Sequence, residues 1–299
     1  MMNSSAVGAA AAMMPVCTAG SCLLGVAKRG VRCTAIECLP APFTVPGESR
    51  VTARTVAFET CSAENDSGDD AVAPPFDNIA HAARCPAYHG THPRGRQEGA
   101  AAYPLLAASV LILDAEGRVL LTRRPAHMRT FPLHYVVPGG GCDPGETLWQ
   151  TARREVLEET GIRLPVGAEG DAVGPASGGD AATPAPCRYA FGSPVAPAEP
   201  TDGCDLLEGG GRWDVSWFGA WESCFPVEPS DEPPKRHHIV AFFIARQRAG
   251  SGPPRITLSD ECDDAVWVNP AAVADGSHGL LLAEGTRYMV AQVARWRAC

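Results

Sequence analysis

The chain has 299 residues, of which 45% are hydrophobic, and this composition suits one large or two small globular domains with an apolar core. Its 25 Lys and Arg residues against 34 Asp and Glu residues give a net charge of −9, which argues against a basic surface that holds nucleic acid through phosphates alone. A polyphosphate ligand would therefore need metal ions or a local basic patch. The longest apolar runs, Leu105–Leu113 and Ile239–Ala245, are shorter than the roughly 20 residues of a membrane-spanning helix, so we expect no spanning segment.

The cysteines and the N-terminus bear on the cellular compartment. Twelve Cys are scattered over the chain, and no charged start with a long apolar core precedes them, so we expect reduced thiols and a cytoplasmic location. Residues 1–27 are rich in Ala and Ser, lack acids and are followed by Lys28 and Arg29, which also suits an organelle transit peptide. That alternative stays open.

Composition divides the chain into three segments. Residues 1–61 contain short alternating apolar stretches and are predicted to form a small β-rich N-terminal extension. Residues 62–103 are rich in Asp, Gly, Ala, Pro and His and are predicted to be a low-complexity linker. Residues 104–299 are predicted to form the main domain, with a flexible Gly/Ala/Pro/Asp-rich insertion at about 165–186.

The main domain alternates predicted strands with predicted helices. A hairpin is expected from Leu105–Asp114 and Arg118–Arg124, followed by a strand at Tyr135–Val137 and a turn at Pro138–Gly141. Apolar residues recur with helical spacing from Gly145 to Thr160, and Gly161 suits the left-handed end of that helix. The remaining predicted elements are strands at Trp217–Trp221, Ile239–Arg246 and Ala265–Val268 and a helix over Glu284–Arg297. Such interleaving indicates an α/β sandwich.

The predicted helix carries three acids on one face. Glu155, Glu158 and Glu159 lie at positions i, i+3 and i+4, so a helix brings their carboxylates close together. A hard divalent cation, Mg²⁺ or Mn²⁺, would offset the repulsion, because such cations prefer carboxylate oxygens, water and phosphates. The alternative is a solvated acidic surface, which explains the acids but not the other residues spaced around them. Arg154, one turn before Glu158, is placed to hold a carboxylate by a bidentate pair.

The stretch from Gly140 to Ile162 resembles the Nudix box, GX5EX7REUXEEXGU with U a bulky aliphatic residue, at every specified position. The resemblance implies an α/β/α sandwich with a mixed sheet and metal-dependent cleavage of a nucleoside diphosphate linked to another group. It implies that Glu155, Glu158 and Glu159 are the metal ligands. It also implies supporting roles for four further residues of the box, namely Gly140, Glu146, Arg154 and Gly161.

A closer resemblance extends outside the box, to an animal member of the family able to cleave methylguanosine-capped RNA. It rests on Val119–Arg124, Gly219–Ser223, Pro234–Val240, Glu261–Trp267 and Gly285–Trp296. The resemblance implies a nucleotide-type substrate, and capped RNA in particular. Nothing in the sequence points to a stable protein partner.

Other polar residues are weaker candidates for the site. Glu261, in an acidic loop before a predicted strand, is a candidate general base, as is Glu158. The compact basic cluster of Lys235, Arg236, His237 and His238 is a candidate phosphate clamp. Arg123 and Arg124 face opposite ways by strand alternation, so at most one of them, for which we choose Arg124, is expected to reach the substrate. The Trp residues of the predicted strands are expected to be core, although any of them is able to stack on a base.

These residues predict hydrolysis of a pyrophosphate bond by metal-assisted in-line attack of water on phosphorus. Three alternatives for the ligand and role remain open at this point. The first is capped RNA, which the net charge of −9 disfavours. The second is a small nucleotide such as coenzyme A or a dinucleoside polyphosphate, and the third is a non-catalytic nucleotide-binding module that keeps the fold. The intact set of acids argues against the third.

Overall fold

A computed structural model of the chain describes residues 36–38, 54–59, 79–80, 105–143, 146–167, 187–190, 195, 212–225 and 236–298. Most of the predicted insertion at about 165–186 and Lys235 of the basic cluster lie outside the described residues. No helix in the described part of the chain is long and apolar enough to cross a membrane.

The described residues form eleven strands and three helices. The strands are β1 (Ile36–Cys38), β2 (Arg54–Glu59), β3 (Ile79–Ala80), β4 (Leu105–Leu113), β5 (Val119–Arg123), β6 (Tyr135–Val136), β7 (Gly139–Gly141), β8 (Cys187–Ala190), β9 (Trp213–Phe225), β10 (Arg236–Gln247) and β11 (Asp264–Val268). The helices are α1 (Leu148–Thr160), α2 (Pro270–Ala274) and α3 (Glu284–Ala298).

Most of the strands belong to one mixed sheet. Its order is β11-β5-β4-β10-β9-β3, with β6 paired to β5 and β7 paired to β4. The central pair, β4 and β10, is parallel over nine residue pairs, and β10 continues antiparallel to β9. The β7 strand runs antiparallel to β4, with Gly140 opposite Ala108. This pairing places the glycines of the Nudix box at the centre of the sheet.

Helices cover both faces of this sheet. On one face, α1 contributes Leu148, Trp149, Ala152 and Val156 to a core that includes alternate residues of β4, such as Val110. On the other face, α3 contributes Met289, Val290 and Val293 to a second core that includes Leu111. Because successive strand residues point to opposite faces, the apolar run of β4 supplies both cores. The architecture is an α/β/α sandwich with a mixed sheet, as the Nudix resemblance implied.

Strands from the N-terminal part of the chain pair with strands of the main domain. A second sheet of three strands has the order β1-β2-β8, and β2 is parallel to β8. Ile79–Ala80, within the predicted linker, pairs with Ala220 and Trp221 at the edge of β9. The predicted boundaries between the three segments, at residues 61 and 104, stay a prediction. Strands from the first two segments nevertheless pair with strands of the third, β2 with β8 and β3 with β9.

Several predicted elements differ from the structure in detail. The expected hairpin of β4 and β5 is joined by one residue pair, Leu113 and Val119, and farther along the same edge β4 pairs with β7 instead. The Gly139–Gly141 segment, predicted as part of a turn, is a short strand. The helix predicted from Gly145 begins at Leu148. The helix α2 and the strand β8 carry short patterns that did not suggest an element.

Candidate active site

Local sequence signals define both ends of α1, the helix that carries the acids. Thr147 is the N-cap: its side chain accepts a hydrogen bond from the backbone of Gln150, whose side chain accepts one from the backbone of Thr147. At the other end, Gly161 has a φ of 70° and donates its backbone N–H to the carbonyl of Leu157. Gly161 therefore ends the helix, and its role in the box is conformational.

The glycines of β7 let the acids of α1 approach the sheet. A Cβ atom on Gly140 would lie 2.5 Å from both carboxylate oxygens of Glu155, so only glycine leaves room for that side chain. The backbone N–H of Gly139 donates to Oε2 of Glu159 at 3.3 Å. Two carboxylates of one helix are thus packed directly against a backbone strand.

Arg154 ties the acids to the loop that precedes α1. Its Nε and Nη2 donate to the two carboxylate oxygens of Glu146, at 2.8 and 3.1 Å, while Nη1 donates to Glu155 at 2.8 Å and to Glu158 at 3.2 Å. Nη2 also donates to the carbonyl of Gly141 at 3.0 Å. The bidentate partner of Arg154 is therefore Glu146, and Arg154 orients Glu155 and Glu158 by single bonds.

The three acids of the box differ in how much of each side chain is exposed to solvent. Glu159 is 3% exposed and Glu155 is also buried, whereas the side chain of Glu158 is 58% exposed. Burial raises the pKa of Glu159 to about 8, and the charges of Glu155 and Glu261 add to the rise. Burial likewise raises the pKa of Glu155, against the opposing hydrogen bond from Arg154. Both groups therefore gain from any positive charge that enters their surroundings.

Glu146 has the opposite electrostatic character. Burial works against its ionised form, but hydrogen bonds from Arg154, from the Thr151 hydroxyl and from the Asp143 backbone outweigh that effect and lower its pKa. A carboxylate with this many donors is already satisfied. Glu146 therefore serves as an anchor for Arg154.

The acidic loop before β11 lies beside the acids of α1. Glu261 is exposed, and its charge contributes to the raised pKa values of Glu155 and Glu159. Two contacts fasten the loop to neighbouring strands: Arg123 Nε donates to Asp263 at 2.7 Å, and the Tyr135 hydroxyl donates to Asp264 at 2.5 Å. Arg123 is thus engaged with the loop.

A pocket of about 180 Å³ opens on the α3 face of the sheet, and no acid of α1 is among its lining residues. Gly139, which donates to Glu159, is part of its wall, and Arg124 lines it as well. Arg124 Nε donates to the carbonyl of Thr130, which holds the guanidinium at the pocket wall. The pocket is also lined by Ser109, Phe131, Trp221, Phe242 and the first residues of α3, Glu284–Thr286.

Comparison with known proteins decides what this arrangement is. Residues 104–183 match the family model described as NUDIX domain. The chain contains a Nudix domain. Glu155, Glu158 and Glu159 are the acids of its Nudix box, and the resemblance drawn from the sequence is confirmed.

Curated relatives extend the similarity beyond the box. The chain is 29% identical over 143 residues to an m7GpppN-mRNA hydrolase NUDT17 from Xenopus laevis, covering 47% of this chain and 32% of that protein. It is 25% identical over 182 residues to the human protein of the same name, covering 58% of this chain and 42% of that protein. The chain therefore spans less than half the length of these relatives.

Among solved structures, the chain is similar to a NUDIX hydrolase from Alicyclobacillus acidocaldarius. The identity is 22%, the TM-score is 0.40, and the match covers 66% of this chain and 92% of that chain.

The donors of the Nudix box fit a hard divalent cation by their chemistry. Glu155 and Glu159 are carboxylates taken out of water, and Gly140 opens a cradle that a Cβ would fill. Among the described residues, no three His, Cys, Asp or Glu side chains already converge as a metal site. The guanidinium of Arg154, which contacts both Glu155 and Glu158, supplies positive charge there.

The basic cluster is only partly described. Arg236 begins β10 and is exposed, and strand alternation places Arg236 and His238 on the same sheet face as Val240, which lines the pocket. Neither Arg236 nor His238 lines the pocket itself. Lys235 and the side chain of His237 lie outside the described residues. The phosphate clamp stays a prediction.

Several residues of the pocket carried no signal in the sequence. Ser109 lies within an apolar strand, and Phe131 lies in an irregular loop with a φ of 51°. Trp221 belonged to the expected core set, and here it both lines the pocket and packs on Tyr288 with ring centroids 5.2 Å apart. Glu284 was recognised only as the start of a helix. Hydrophobic periodicity cannot show which residues of separate elements meet at one pocket.

Proposed function

We propose that this protein is a metal-dependent hydrolase that cleaves a pyrophosphate bond in a nucleoside diphosphate derivative. The observation that carries the proposal is the pair of buried carboxylates, Glu155 and Glu159, packed against a glycine strand whose Gly139 also lines a pocket. Carboxylates whose pKa values are raised by burial are candidates for a functional site. The match of residues 104–183 to the NUDIX domain supports the same function.

We propose Mg²⁺ or Mn²⁺ as the cofactor, held by Glu155, Glu158 and Glu159. When bound, the ion supplies charge neutralisation of the diphosphate oxygens and a nucleophilic water. The three carboxylates differ in exposure, so Glu155 and Glu159 form the inner, buried part of the donor set and Glu158 its solvent side. Arg154, which is held by Glu146, donates a hydrogen bond to Glu155 and orients its carboxylate.

The other residues of the site position the substrate and take up a proton. Arg124, at the pocket wall beside Gly139, is placed to bind a phosphate oxygen. Glu261, exposed beside the acids, is our candidate for the general base, with Glu158 as the alternative. Arg123 and Tyr135 hold the loop of Glu261 through Asp263 and Asp264.

We propose the methylguanosine cap of RNA as the substrate class. The support is the similarity to proteins named m7GpppN-mRNA hydrolase. A net charge of −9 favours recognition of the cap and its phosphates over a long RNA strand. The second candidate is a small nucleotide such as coenzyme A or a dinucleoside polyphosphate, for which a pocket of about 180 Å³ is large enough to hold one base.

A substrate panel tests the proposal. Capped dinucleotide, capped oligonucleotide, diadenosine tetraphosphate and coenzyme A are incubated with the protein in Mg²⁺, in Mn²⁺ and in chelator, and products are separated by chromatography. We expect cleavage of a pyrophosphate bond with either metal and none in chelator. Binding of nucleotides without any turnover would instead support the non-catalytic module.

The salt dependence of KM separates a cap from a longer RNA ligand. Each phosphate of a single strand that the protein neutralises adds about 0.7 to the logarithmic slope of affinity against salt. Equal, shallow slopes for the capped dinucleotide and the capped oligonucleotide support recognition of the cap alone. A much steeper slope for the oligonucleotide would contradict it.

A further inference from the structure

The pocket that contains Gly139 in its wall has a lining that suits a flat ring. Phe131, Trp221 and Phe242 line it together with Val137 and Val240, so most of its wall is apolar or aromatic. Phe131 packs edge-on against Phe225, with ring centroids 5.7 Å apart, which fixes its ring at the wall. Aromatic walls of this kind favour a planar ring, and nucleobases stack on such side chains.

A hydroxyl group of the pocket wall, that of Ser109, has no hydrogen-bond partner among the described residues. Ser109 is 8% exposed and lies on β4 in the same alternation as Leu111, toward the face that holds the pocket. Its hydroxyl makes no hydrogen bond to any other described residue, although buried hydroxyls are normally paired. This hydroxyl is available to a polar ligand that enters the pocket.

Two acids line the pocket, Glu222, which is fully buried and engaged in an interaction, and Glu284, which has no bonding partner in the described part of the chain. Glu284 is the first residue of α3 and lines the pocket with Gly285 and Thr286. Its side chain makes no ion pair or hydrogen bond within the described part of the chain.

Guanine and adenine differ in the hydrogen-bonding groups that they present to such a carboxylate. A carboxylate offers two acceptors and no donor. The Watson–Crick edge of guanine presents two adjacent donors, N1–H and the N2 amino group, whereas that of adenine presents one donor, the N6 amino group, beside the N1 acceptor. Guanine satisfies both oxygens, and adenine places an acceptor against one of them. A site built to bond donors rejects a ligand that lacks them.

We infer that Glu284 is the residue that selects guanine over adenine in this pocket. The inference rests on the proposed function for the identity of the ligand as a nucleotide. It is carried by the pocket itself, by the carboxylate of Glu284 and by the hydroxyl of Ser109, neither of which bonds to another described residue. The substrate class that fits is a guanine nucleotide whose diphosphate extends past Gly139 toward Glu159.

The test measures binding, so it does not depend on turnover. The dissociation constants of GDP and ADP are determined by titration calorimetry in chelator for the wild type, Glu284→Gln and Glu284→Ala. We expect the wild type to prefer GDP by about tenfold or more, since one charge-assisted hydrogen bond is worth that much. Glu284→Gln should reverse or abolish the preference, because an amide offers one acceptor and one donor, the complement of adenine. Glu284→Ala should abolish it without favouring ADP.

A matched control removes an acid away from the pocket. Glu116 is an exposed acid in the turn between β4 and β5, so Glu116→Gln should keep the wild-type ratio of GDP to ADP affinity. Ser109→Ala should weaken binding of both nucleotides. Thermal melts of each variant confirm that it is folded.

The outcomes separate this inference from the proposed function. An equal affinity of the wild type for GDP and ADP, or an unchanged ratio in Glu284→Gln, would overturn the inference even if the substrate panel shows hydrolysis. A preference for GDP that disappears in Glu284→Gln supports the inference even if no substrate of the panel is cleaved.

Discussion

Gly140 determines how near the acids of α1 come to the sheet. A side chain at this position would overlap the carboxylate of Glu155, whereas the space next to the Cβ position of Gly141 is open. The neighbouring glycines of β7 thus have different roles, although the strand looks uniform in sequence. Gly140 cannot be replaced without overlap with Glu155, whereas Gly141 has open space for a side chain.

The contrast between these glycines gives a matched pair of variants. Gly140→Ala should lower kcat on the order of a hundredfold, because a displacement of a reacting group by about 1 Å costs that much. Gly141→Ala should retain most of the activity, since its Cβ meets no atom within 4 Å. The measurement is kcat at saturating Mg²⁺ together with a thermal melt. Similar kinetics for the two variants would mean that Glu155 does not need its position against β7.

Tyr135 and Asp264 form a hydrogen bond whose contribution depends on pH. The Tyr135 hydroxyl donates to Asp264, and this bond lowers the pKa of the carboxyl. A carboxylate with a lowered pKa stabilises the fold at pH values above its ordinary range, and that contribution is lost as the pH falls through its value in the folded protein. Tyr135→Phe should therefore lower the free energy of unfolding by about 1 kcal/mol near neutral pH.

The pH profile is the check on that assignment. The difference between wild type and Tyr135→Phe, measured by urea unfolding, should shrink below about pH 4, where Asp264 is protonated in the unfolded chain. A difference that stays constant down to pH 3 would mean that the hydroxyl stabilises the fold independently of the charge on Asp264.

Helical spacing predicted that Glu155, Glu158 and Glu159 share one face, and the resemblance to the Nudix box supplied the other residues of the box. The same reasoning could not find the pocket. Ser109, Trp221 and Glu284 come from β4, β9 and α3, and they meet only through the pairing of strands and the packing of a helix. Sequence reasoning predicted a bidentate pair for Arg154 without naming the carboxylate, and the fold supplies Glu146 from the preceding loop.

The helix α1 is the element on which the site depends, and its C-terminal end was predicted from the sequence, whereas its start lies three residues after the predicted one. Gly161 was expected at its C-terminus and adopts the left-handed conformation there. Gly250 has a similar φ of 81° in a turn away from the site, with no atom within 4 Å of its Cβ position. Gly161 and Gly250 thus have the same left-handed backbone conformation, but only Gly161 caps a helix.

Replacing these glycines separates backbone strain from the stability of α1. Gly161→Ala and Gly250→Ala should each reduce the free energy of unfolding by about 1 kcal/mol, the cost of a left-handed residue with a Cβ atom. Only Gly161→Ala should speed hydrogen exchange in the last turn of α1, because the cap is part of that helix. Unchanged exchange there would show that the helix end is held by contacts other than its cap.

Strand pairing was the least predictable property of the elements. Adjacent strands in sequence suggested a β4–β5 hairpin, but the main partner of β4 is β10, which follows more than 120 residues later and runs parallel to it. No local pattern encodes a parallel pair at that separation. The continuous apolar run of β4 was nonetheless a sign of burial on both faces.

At the scale of the molecule, N-terminal strands complete sheets whose other strands lie in the main domain. The β2 strand pairs with β8, and β3 pairs with β9 at Ala220 and Trp221. Trp221 also lines the pocket, so the edge that β3 covers lies close to the candidate site. Composition marked residues 62–103 as a linker because two-residue strands are too short to leave a pattern.

Removing the N-terminal strands tests their contribution. A variant that lacks residues 1–103 should melt several degrees below the full chain, because β8 and the edge of β9 lose their partners and a loss of about 1 kcal/mol shifts Tm by a few degrees in a domain of this size. A variant that lacks only residues 1–35 keeps every described strand and serves as the control. Equal melting temperatures for the two variants would contradict a stabilising role for β2 and β3.

The central claim is that the buried carboxylates of α1 hold a divalent cation for hydrolysis, and Glu159→Gln tests it most directly. Burial raises the pKa of Glu159 to about 8, so glutamine mimics the neutral form of the metal-free protein and should leave the fold intact. We predict a melting temperature equal to or above that of the wild type, together with a loss of turnover of about a hundredfold or more, because metal charge stabilisation is worth several kcal/mol. Glu116→Gln, in an exposed turn, should keep wild-type kinetics. Turnover of capped dinucleotide by folded Glu159→Gln at the wild-type rate and with the wild-type Mg²⁺ dependence would contradict the claim.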